Sequence, residues 1–135
     1  MTRDEAATLL TQRGVLPTAQ RIDIALLTLA RPQHWSAEQI IAAIRTNGLK
    51  ISKATVYNTL NLFREQGLLR TVDVDPTRQF YDSSTVPHHH FYNVDTGELT
   101  DIPLESVVLQ VDAALPPGTE QAGVDVVVRV RGRAG

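Results

Sequence analysis

The first seventy residues place apolar side chains at the three- and four-residue spacing of amphipathic helices. Four helices are predicted, and a hydroxyl residue that can cap the first turn precedes each of them: Thr2, Thr18, Ser36 and Ser52. Glu5 and Gln39 stand three residues after the first and third caps, which is the capping-box pattern. The predicted ends are three glycines and, for the second helix, a proline: Gly14, Gly48, Gly67 and Pro32.

An alternation of apolar and polar residues replaces the helical pattern after Gly67. It predicts strands over Leu68–Val74 and Arg78–Tyr81, joined by the turn Asp75-Pro76-Thr77. A helix, a short loop, a second helix and a hairpin follow one another in this way in a winged helix-turn-helix. We therefore predict such a domain over residues 1–82.

A second hairpin is predicted beyond the polar stretch SSTVP, for which we expect a hinge. Its strands are His88–Val94 and Glu98–Ile102, and its turn is Asp95-Thr96-Gly97. Leu104–Leu115, which follows, fits either a short helix or a strand.

The last predicted element is a strand over Val124–Arg131, in which four valines alternate onto one face. An exposed strand with such a face has to be covered, either by its own subunit or by a second copy. The predicted fold class is therefore α+β, with a small α/β domain over residues 83–135 after the winged helix.

Composition narrows the possible chemistry. The chain has 135 residues, of which 42% are apolar, so it can bury a core. It has no cysteine, which excludes disulfides, thiolate zinc sites and iron–sulfur clusters. The N-terminus lacks the apolar core of a signal peptide, and no apolar run is long enough to span a membrane. We therefore expect a soluble cytoplasmic protein with no membrane partner.

Charge is divided unevenly along the chain, although the net charge is only −2. Through Arg70 there are nine Lys and Arg against five Asp and Glu, a net of +4. From Thr71 onward there are four against ten, a net of −6. The first part is suited to a polyanion and the second to cations, although chance variation of surface charge gives the same pattern.

The fourth predicted helix has a polar face that suits DNA. Opposite its apolar face lie the side chains Lys53, Thr55, Tyr57, Asn58, Asn61 and Arg64. Asn58 can pair with adenine and Tyr57 can pack on a sugar or a thymine, while Lys53 and Arg64 suit phosphates. The alternative is an ordinary amphipathic surface helix.

Three consecutive histidines are the strongest candidate for a metal site. On a strand, His88 and His90 point to one face and His89 to the other. Asp82 and Asp101 could complete the shell, which would suit iron(II), manganese(II) or zinc(II). The alternative is a polar loop of uncoordinated histidines. His34 beside Trp35 does not by itself indicate a role.

Taken together, these segments resemble the ferric uptake regulators over nearly the whole chain. The resemblance is carried by GVLPTAQR at 14–21, HWSAEQI at 34–40, ISKATVYNTLNLFREQGLL at 51–69, the triple histidine and GELTDI at 97–102. It implies a winged helix joined by a hinge to an α/β dimerisation domain, and a homodimer that binds a pseudo-palindromic, AT-rich DNA operator. Arg13, Thr18 and Arg21 join the expected DNA contacts.

The resemblance also implies a regulatory metal site between the two domains. By position its ligands are His34, Asp82, His88, His90 and Asp101. The expected metal is Fe2+ or Mn2+, with Zn2+ possible in vitro. The family's cysteine pairs for structural zinc are absent. A further family site is also lost, because Pro87 and Val108 replace ligands and His89 alone remains.

Within the family the chain is most similar to the Irr-type iron response regulators. HHHFYNVDTGELTDIP and the ending PPGTEQAGVDVVVRVRGR carry this likeness. It implies an iron-responsive repressor whose DNA binding is relieved by haem at His88, His89 or His90. A peroxide sensor similar to PerR and a metal-corepressed ferric uptake regulator remain alternatives.

Two other classes are disfavoured. A metallo-enzyme would need an acid–base or nucleophile pair, and none stands out beyond the metal ligands. A protein-interaction module without a sensing role would leave the polar helix and the histidines unexplained. We therefore expect a transcriptional repressor and not an enzyme.

Overall fold

The computed structural model describes residues 1–75, 77–84 and 88–133. Pro76 of the predicted turn and residues 85–87 of the predicted hinge lie outside them. The chain divides into an N-terminal unit, Met1–Thr85, and a C-terminal unit, Val86–Gly135. The N-terminal unit has α-helices and a sheet, and the described part of the C-terminal unit has a sheet and one 3-10 turn. The predicted fold class, a mixture of helices and sheets, is confirmed.

The helices of the N-terminal unit begin where the hydroxyl residues predict. They are α1 (Arg3–Gln12), α2 (Ala19–Thr28), α3 (Ala37–Thr46) and α4 (Lys53–Glu65). Each predicted cap accepts a hydrogen bond from the backbone N–H three residues later. At Thr2 and Ser36 the reciprocal capping-box bond is also present, so both predicted boxes are confirmed.

The predicted glycines end α1, α3 and α4 by one common arrangement. Gly14, Gly48 and Gly67 have φ of 73°, 70° and 74°. In α4 the N–H of Leu68 donates to Phe63 O at 2.8 Å and the N–H of Gly67 donates to Arg64 O at 3.1 Å. This is a Schellman motif, and it satisfies carbonyls that the helix leaves without partners. Helix α2 has no glycine there and ends at Thr28, earlier than the predicted stop at Pro32.

The N-terminal core is made by one face of every helix. Its fully buried side chains include Leu10, Ile24, Ile40, Leu60 and Phe63, all 0% exposed. The sheet contributes Tyr81, and Trp35 packs against the same cluster. These apolar positions are the ones whose helical spacing predicts the four helices.

A three-stranded antiparallel sheet completes the N-terminal unit. It consists of β1 (His34–Ser36), β2 (Arg70–Asp75) and β3 (Arg78–Asp82), in the order β1-β3-β2. Tyr81 pairs with Trp35 on one side and Thr71 on the other, and a bulge interrupts the β2–β3 register between Asp73 and Asp75. The hairpin is confirmed, whereas β1 was not predicted because three residues are too few to show alternation.

The C-terminal unit is built on the predicted second hairpin. Its strands are β4 (His88–Asn93), β5 (Leu99–Pro103) and β6 (Val127–Val130), in the order β5-β4-β6. Strand β5 pairs antiparallel with β4, and β6 pairs parallel with its other edge. The Asn93 side chain accepts the N–H groups of Asp95 and Thr96, which fixes the turn.

Two predictions for the C-terminal unit differ from the structure: the first is wrong, and the second gives a strand that is too long. Leu104–Leu115 forms neither a regular helix nor a strand beyond a 3-10 turn at Leu104–Ser106, and most of its large apolar side chains are exposed. The predicted strand Val124–Arg131 is shortened to Val127–Val130, the part that pairs with β4. Val124 and Val128 are 36% and 38% exposed, so the chain does not bury that valine face by itself.

Within the described residues, no helix is both long enough and apolar enough to cross a membrane.

Candidate metal centre and nucleic-acid interface

Two of the predicted ligands, His34 and Asp82, lie opposite each other in the N-terminal sheet. Their Cα atoms are register partners across β1 and β3. Directly paired residues point to the same face of a sheet, so both side chains lie on the face shared with Phe80. The rings of His34 and Phe80 meet edge-on, with centroids 6.5 Å apart. Asp82 is 3% exposed, and its Oδ1 accepts the N–H of Ser84 at 2.8 Å.

The other three predicted ligands, His88, His90 and Asp101, meet in the C-terminal sheet. The Nε2 atoms of His88 and His90 lie 3.0 and 3.7 Å from Asp101 Oδ1. Each residue offers a ligand atom, and these atoms are all within 4.8 Å of one another. The histidine side chains are nearly buried, at 10% and 6% exposed, while Asp101 is 55% exposed. Imidazoles with a carboxylate suit Fe2+, Mn2+ or Zn2+, so the donor set fits the expected ion.

The register of the hairpin explains this arrangement. His90 is the Cα partner of Asp101, and His88 is two residues away on the same face of β4. The two imidazole rings are T-shaped with centroids 4.5 Å apart. The alternation predicted for the triple histidine is confirmed for β4, because His89 points away from this pair and bonds to Val126 instead.

His89 lies against a pocket on the other face of β4. Its Nδ1 accepts the backbone N–H of Val126 at 3.0 Å, and the residue is 8% exposed. The pocket, of about 340 Å³, is otherwise lined by Leu104, Val107, Leu109, Val111, Gln121 and Val124. An Nδ1 that accepts a hydrogen bond requires the ring proton to be on Nε2.

Helix α4 presents the predicted polar face to solvent. Val56, Leu60 and Phe63 are buried on the other side of the helix. Five of the six predicted contacts are exposed: Lys53, Tyr57, Asn58, Asn61 and Arg64. Thr55 differs, because it is half-buried and its Oγ1 accepts the hydroxyl of the cap Ser52 at 2.9 Å.

A cleft joins the start of α2 to this face of α4. It has a volume of about 410 Å³ and is lined by Thr18, Ala19, Gln20, Arg21, Thr55, Asn58 and Thr59. Thr18 also caps α2, and Arg21 donates to Leu16 O at 3.1 Å. The structure therefore brings four of the predicted DNA contacts together in one polar cleft. Arg13 is exposed at the end of α1 and does not line it.

A second, smaller cleft connects α4 to the hairpin and contains residues that the sequence did not single out. About 160 Å³ in volume, it is lined by Ala37, Glu38, Tyr57, Thr77, Arg78, Gln79 and Tyr81. Burial raises the pKa of the Tyr81 hydroxyl, Tyr57 and Glu38 raise it further, and Arg64 opposes them. The strand alternation, which turns Gln79 and Tyr81 to one face, is the signal that could have found this group.

Comparison with known proteins gives one family. Residues 12–120 match the Ferric uptake regulator family. The peroxide-responsive repressor PerR of Staphylococcus saprophyticus is 30% identical over 98 residues, which are 73% of this chain. The matched region spans 66% of the length of that curated relative.

Solved structures agree with the fold. The ferric uptake regulator of Pseudomonas aeruginosa with manganese matches with a TM-score of 0.69 and 24% identity, over 99% of this chain and 100% of that chain. The Vibrio cholerae ferric uptake regulator matches with a TM-score of 0.72 and 23% identity, over 93% and 98%. At these identities the likeness concerns the fold.

Proposed function

Since the chain belongs to the ferric uptake regulator family, we propose that it is a metal-dependent transcriptional repressor, not an enzyme, that binds promoter DNA as a homodimer. The observation that carries the proposal is the group formed by His88, His90 and Asp101, whose ligand atoms lie within 4.8 Å of one another. The same chain presents an exposed polar helix, α4, next to a hairpin, which is the arrangement that reads DNA in winged-helix proteins.

We propose that five side chains bind the regulatory ion. His34 and Asp82 come from the N-terminal unit, and His88, His90 and Asp101 come from the C-terminal unit. Fe2+ or Mn2+ is the expected metal, and Zn2+ should bind in vitro. The pairing of His34 with Asp82 supports this ligand set. Bound metal would then select one arrangement of the two units, because only that arrangement brings all five ligands to the ion, and DNA affinity would depend on the metal.

DNA binding is proposed for the N-terminal unit. Its contacts would be Arg13, Thr18, Arg21, Lys53, Thr55, Tyr57, Asn58, Asn61 and Arg64. Asn58 and Tyr57 are placed to meet bases, and the basic side chains to meet phosphates. Because phosphate contacts release counterions, affinity should fall steeply with salt. A dimer would present two such helices, so a pseudo-palindromic, AT-rich operator is expected.

Dimerisation is proposed for the C-terminal unit. Large apolar side chains lie exposed on it, among them Val108, Leu109, Val111 and Leu115, at 48% to 96% exposed. A monomer rarely exposes so many neighbouring apolar side chains without a partner for them. A second copy is the partner that the family relationship favours.

For the signal that regulates DNA binding, we propose an Irr-like response in which haem lowers DNA affinity. A pocket next to a histidine, lined mainly by aliphatic residues, supports haem as the ligand. However, a neutral histidine that binds iron through Nε2 carries its proton on Nδ1, which here accepts the N–H of Val126. Haem ligation by His89 would therefore break this hydrogen bond.

A peroxide response is the second candidate, and the 30% identity to a PerR favours it. A site of three histidines and two aspartates that holds iron(II) can oxidise one of its own ligands. Mass spectrometry after peroxide treatment of the iron-loaded protein should then find one added oxygen on His34 or His88. Unmodified histidines would exclude this response.

Fluorescence anisotropy of a labelled promoter duplex at fixed salt tests the proposal. The probe is titrated without ligand, with manganese(II) and with haem. Binding that requires manganese and is lost in Asp101→Asn, but not in the control Asp112→Asn, supports the metal-dependent repressor. Binding without manganese that haem abolishes, and that His89→Ala makes insensitive to haem, supports the Irr-like response. No binding under any condition would contradict the proposal.

A further inference from the structure

Ser83, the residue after Asp82, is hydrogen-bonded to the segment that leads into His34. Its hydroxyl donates to Arg31 O at 2.9 Å, and Gln33 O is a second possible acceptor at 3.2 Å. The hydroxyl oxygen also accepts the N–H of Gln33 at 3.1 Å. Its backbone N–H donates to Gln33 O at 2.9 Å. One short polar side chain therefore joins the two strands immediately beyond His34 and Asp82, at one end of the β1–β3 pairing.

These bonds matter because β1 is short. It has three residues, and His34 is the first of them, where a strand frays most easily. The bonds between Ser83 and Gln33 extend the pairing past His34. Gln33 in turn donates through Nε2 to Leu27 O at 2.7 Å, which fixes the segment to the end of α2.

The carboxylate of Asp82 is held by the backbone of the residue that follows Ser83. The N–H of Ser84 donates to Asp82 Oδ1 at 2.8 Å. This bond closes an Asx-type turn and restricts the rotamer of the carboxylate. Without the Ser83 hydroxyl, the backbone that carries this N–H is attached to Gln33 by the Ser83 N–H alone.

We propose that Ser83 is a positioning residue that sets His34 and Asp82 in the geometry needed to bind the ion; this rests on the proposed function. The hydroxyl touches neither side chain. It acts by fixing the backbone next to His34 on one strand and next to Asp82 on the other, so that neither ligand has to be ordered when the metal arrives. Loss of a group that is hydrogen-bonded directly to a metal ligand lowers metal affinity about tenfold to a hundredfold. Ser83 acts through the backbone next to the ligands, so we expect an effect at the lower end of that range.

The test measures the dissociation constant for manganese(II) by titration calorimetry, with the electron paramagnetic resonance spectrum of the bound ion as a second readout. Ser83→Ala removes the hydroxyl and leaves the backbone bond. We expect weakening of about tenfold or more and a broadened spectrum. Ser83→Thr keeps the hydroxyl and should remain within about threefold of the wild type.

Thr46→Ala is the matched control. The Thr46 hydroxyl also donates to a backbone carbonyl, Ala42 O at 2.9 Å, but in α3 and away from the proposed ligands. Circular dichroism melting of each variant without metal separates lost positioning from lost folding. If Ser83→Ala lowers the melting temperature, Ser83→Cys, which keeps the side chain's size but bonds weakly, takes its place in the titration.

The positioning role of Ser83 and the proposed metal site can fail independently in these measurements. An unchanged manganese affinity in the folded Ser83 variant, with wild-type binding intact, overturns the positioning role alone. A wild type that binds no manganese overturns the metal site as well. Equal weakening by Thr46→Ala and Ser83→Ala also overturns the positioning role, because the effect would then not be specific to Ser83.

Discussion

The N-terminal and C-terminal units differ in how far they bury their apolar side chains. In the N-terminal unit, helix positions such as Leu60 and Phe63 are 0% exposed within a continuous core. In the C-terminal unit, Val108 is 96% exposed and Val111 56% exposed. The first unit completes its own core, whereas the second leaves apolar surface that burial against another molecule would stabilise. Stability should therefore be intrinsic to one unit and should depend on association in the other.

The largest expected effect is at Phe63. Phe63→Ala should lower the free energy of unfolding by about 3–5 kcal/mol, because it opens a cavity in a closed core. Urea unfolding followed by circular dichroism measures it. Phe91→Ala in the C-terminal unit is the control, since Phe91 is 40% exposed. An equal loss at Phe91 would break the comparison between the units.

A smaller effect is expected on association. The double change Leu109→Asp and Val111→Asp should raise the dimer dissociation constant by about tenfold or more, which is about 1.4 kcal/mol, because two apolar contacts become charged. Sedimentation equilibrium measures it. Leu16→Asp, at a residue 70% exposed in the N-terminal unit, should leave the constant unchanged. If only Leu16→Asp weakens association, the dimer uses the other unit.

Loss of a helix cap should change the free energy of unfolding by a smaller amount, and more in the N-terminal unit than in the C-terminal unit. Ser52→Ala removes the side-chain acceptor at the start of α4 and should cost about 1 kcal/mol. The 3-10 turn at Leu104–Ser106 has no side-chain cap, so Glu105→Ala should change stability by no more than about 0.5 kcal/mol. Chemical denaturation of both variants gives the two values. A larger loss at Glu105 would mean that the C-terminal turn contributes more than its exposure indicates.

The smallest effect is a pH dependence of the N-terminal unit. Burial raises the pKa of Tyr81 above its ordinary value of 10.0. The folded state therefore holds this proton more tightly than the unfolded state. Its contribution is complete below about pH 10 and is lost as the pH rises through the folded pKa. Tyr81→Phe should consequently lose less stability than the wild type between about pH 9 and pH 11. Identical profiles would show that this hydroxyl is not the group responsible.

Local signals determined which parts of the fold could be predicted. The caps at Thr2, Thr18, Ser36 and Ser52 act within four residues, so the sequence is sufficient to find them. The glycine ends of α1, α3 and α4 are equally local. Strand β1 could not be found, because its only evidence is pairing with β3, about fifty residues away along the chain. The segment after Leu104 has a periodic apolar pattern, but most of its large apolar side chains are exposed in the described part of the chain.

The same distinction applies to the candidate site. The alternation of His88, His89 and His90 on β4 follows from the two-residue period of a strand. The approach of Asp101 to both outer histidines depends on the β4–β5 register, which the turn at residues 94–98 specifies. His34 was indicated by family likeness alone, since its pairing with Asp82 is tertiary. The sequence predicts Ser83 only as part of a polar hinge, because its hydrogen bonds to Arg31 and Gln33 join residues about fifty positions apart.

Strand β3 also restricts how the chain can vary in length. Tyr81 faces the helical core and Asp82, its neighbour, faces the opposite side of the sheet. One residue inserted between Gln79 and Tyr81 would exchange those faces, so a carboxylate would enter the core and an aromatic ring would leave it. Insertions during evolution are therefore expected in the turn before Arg78, where added residues alter neither face.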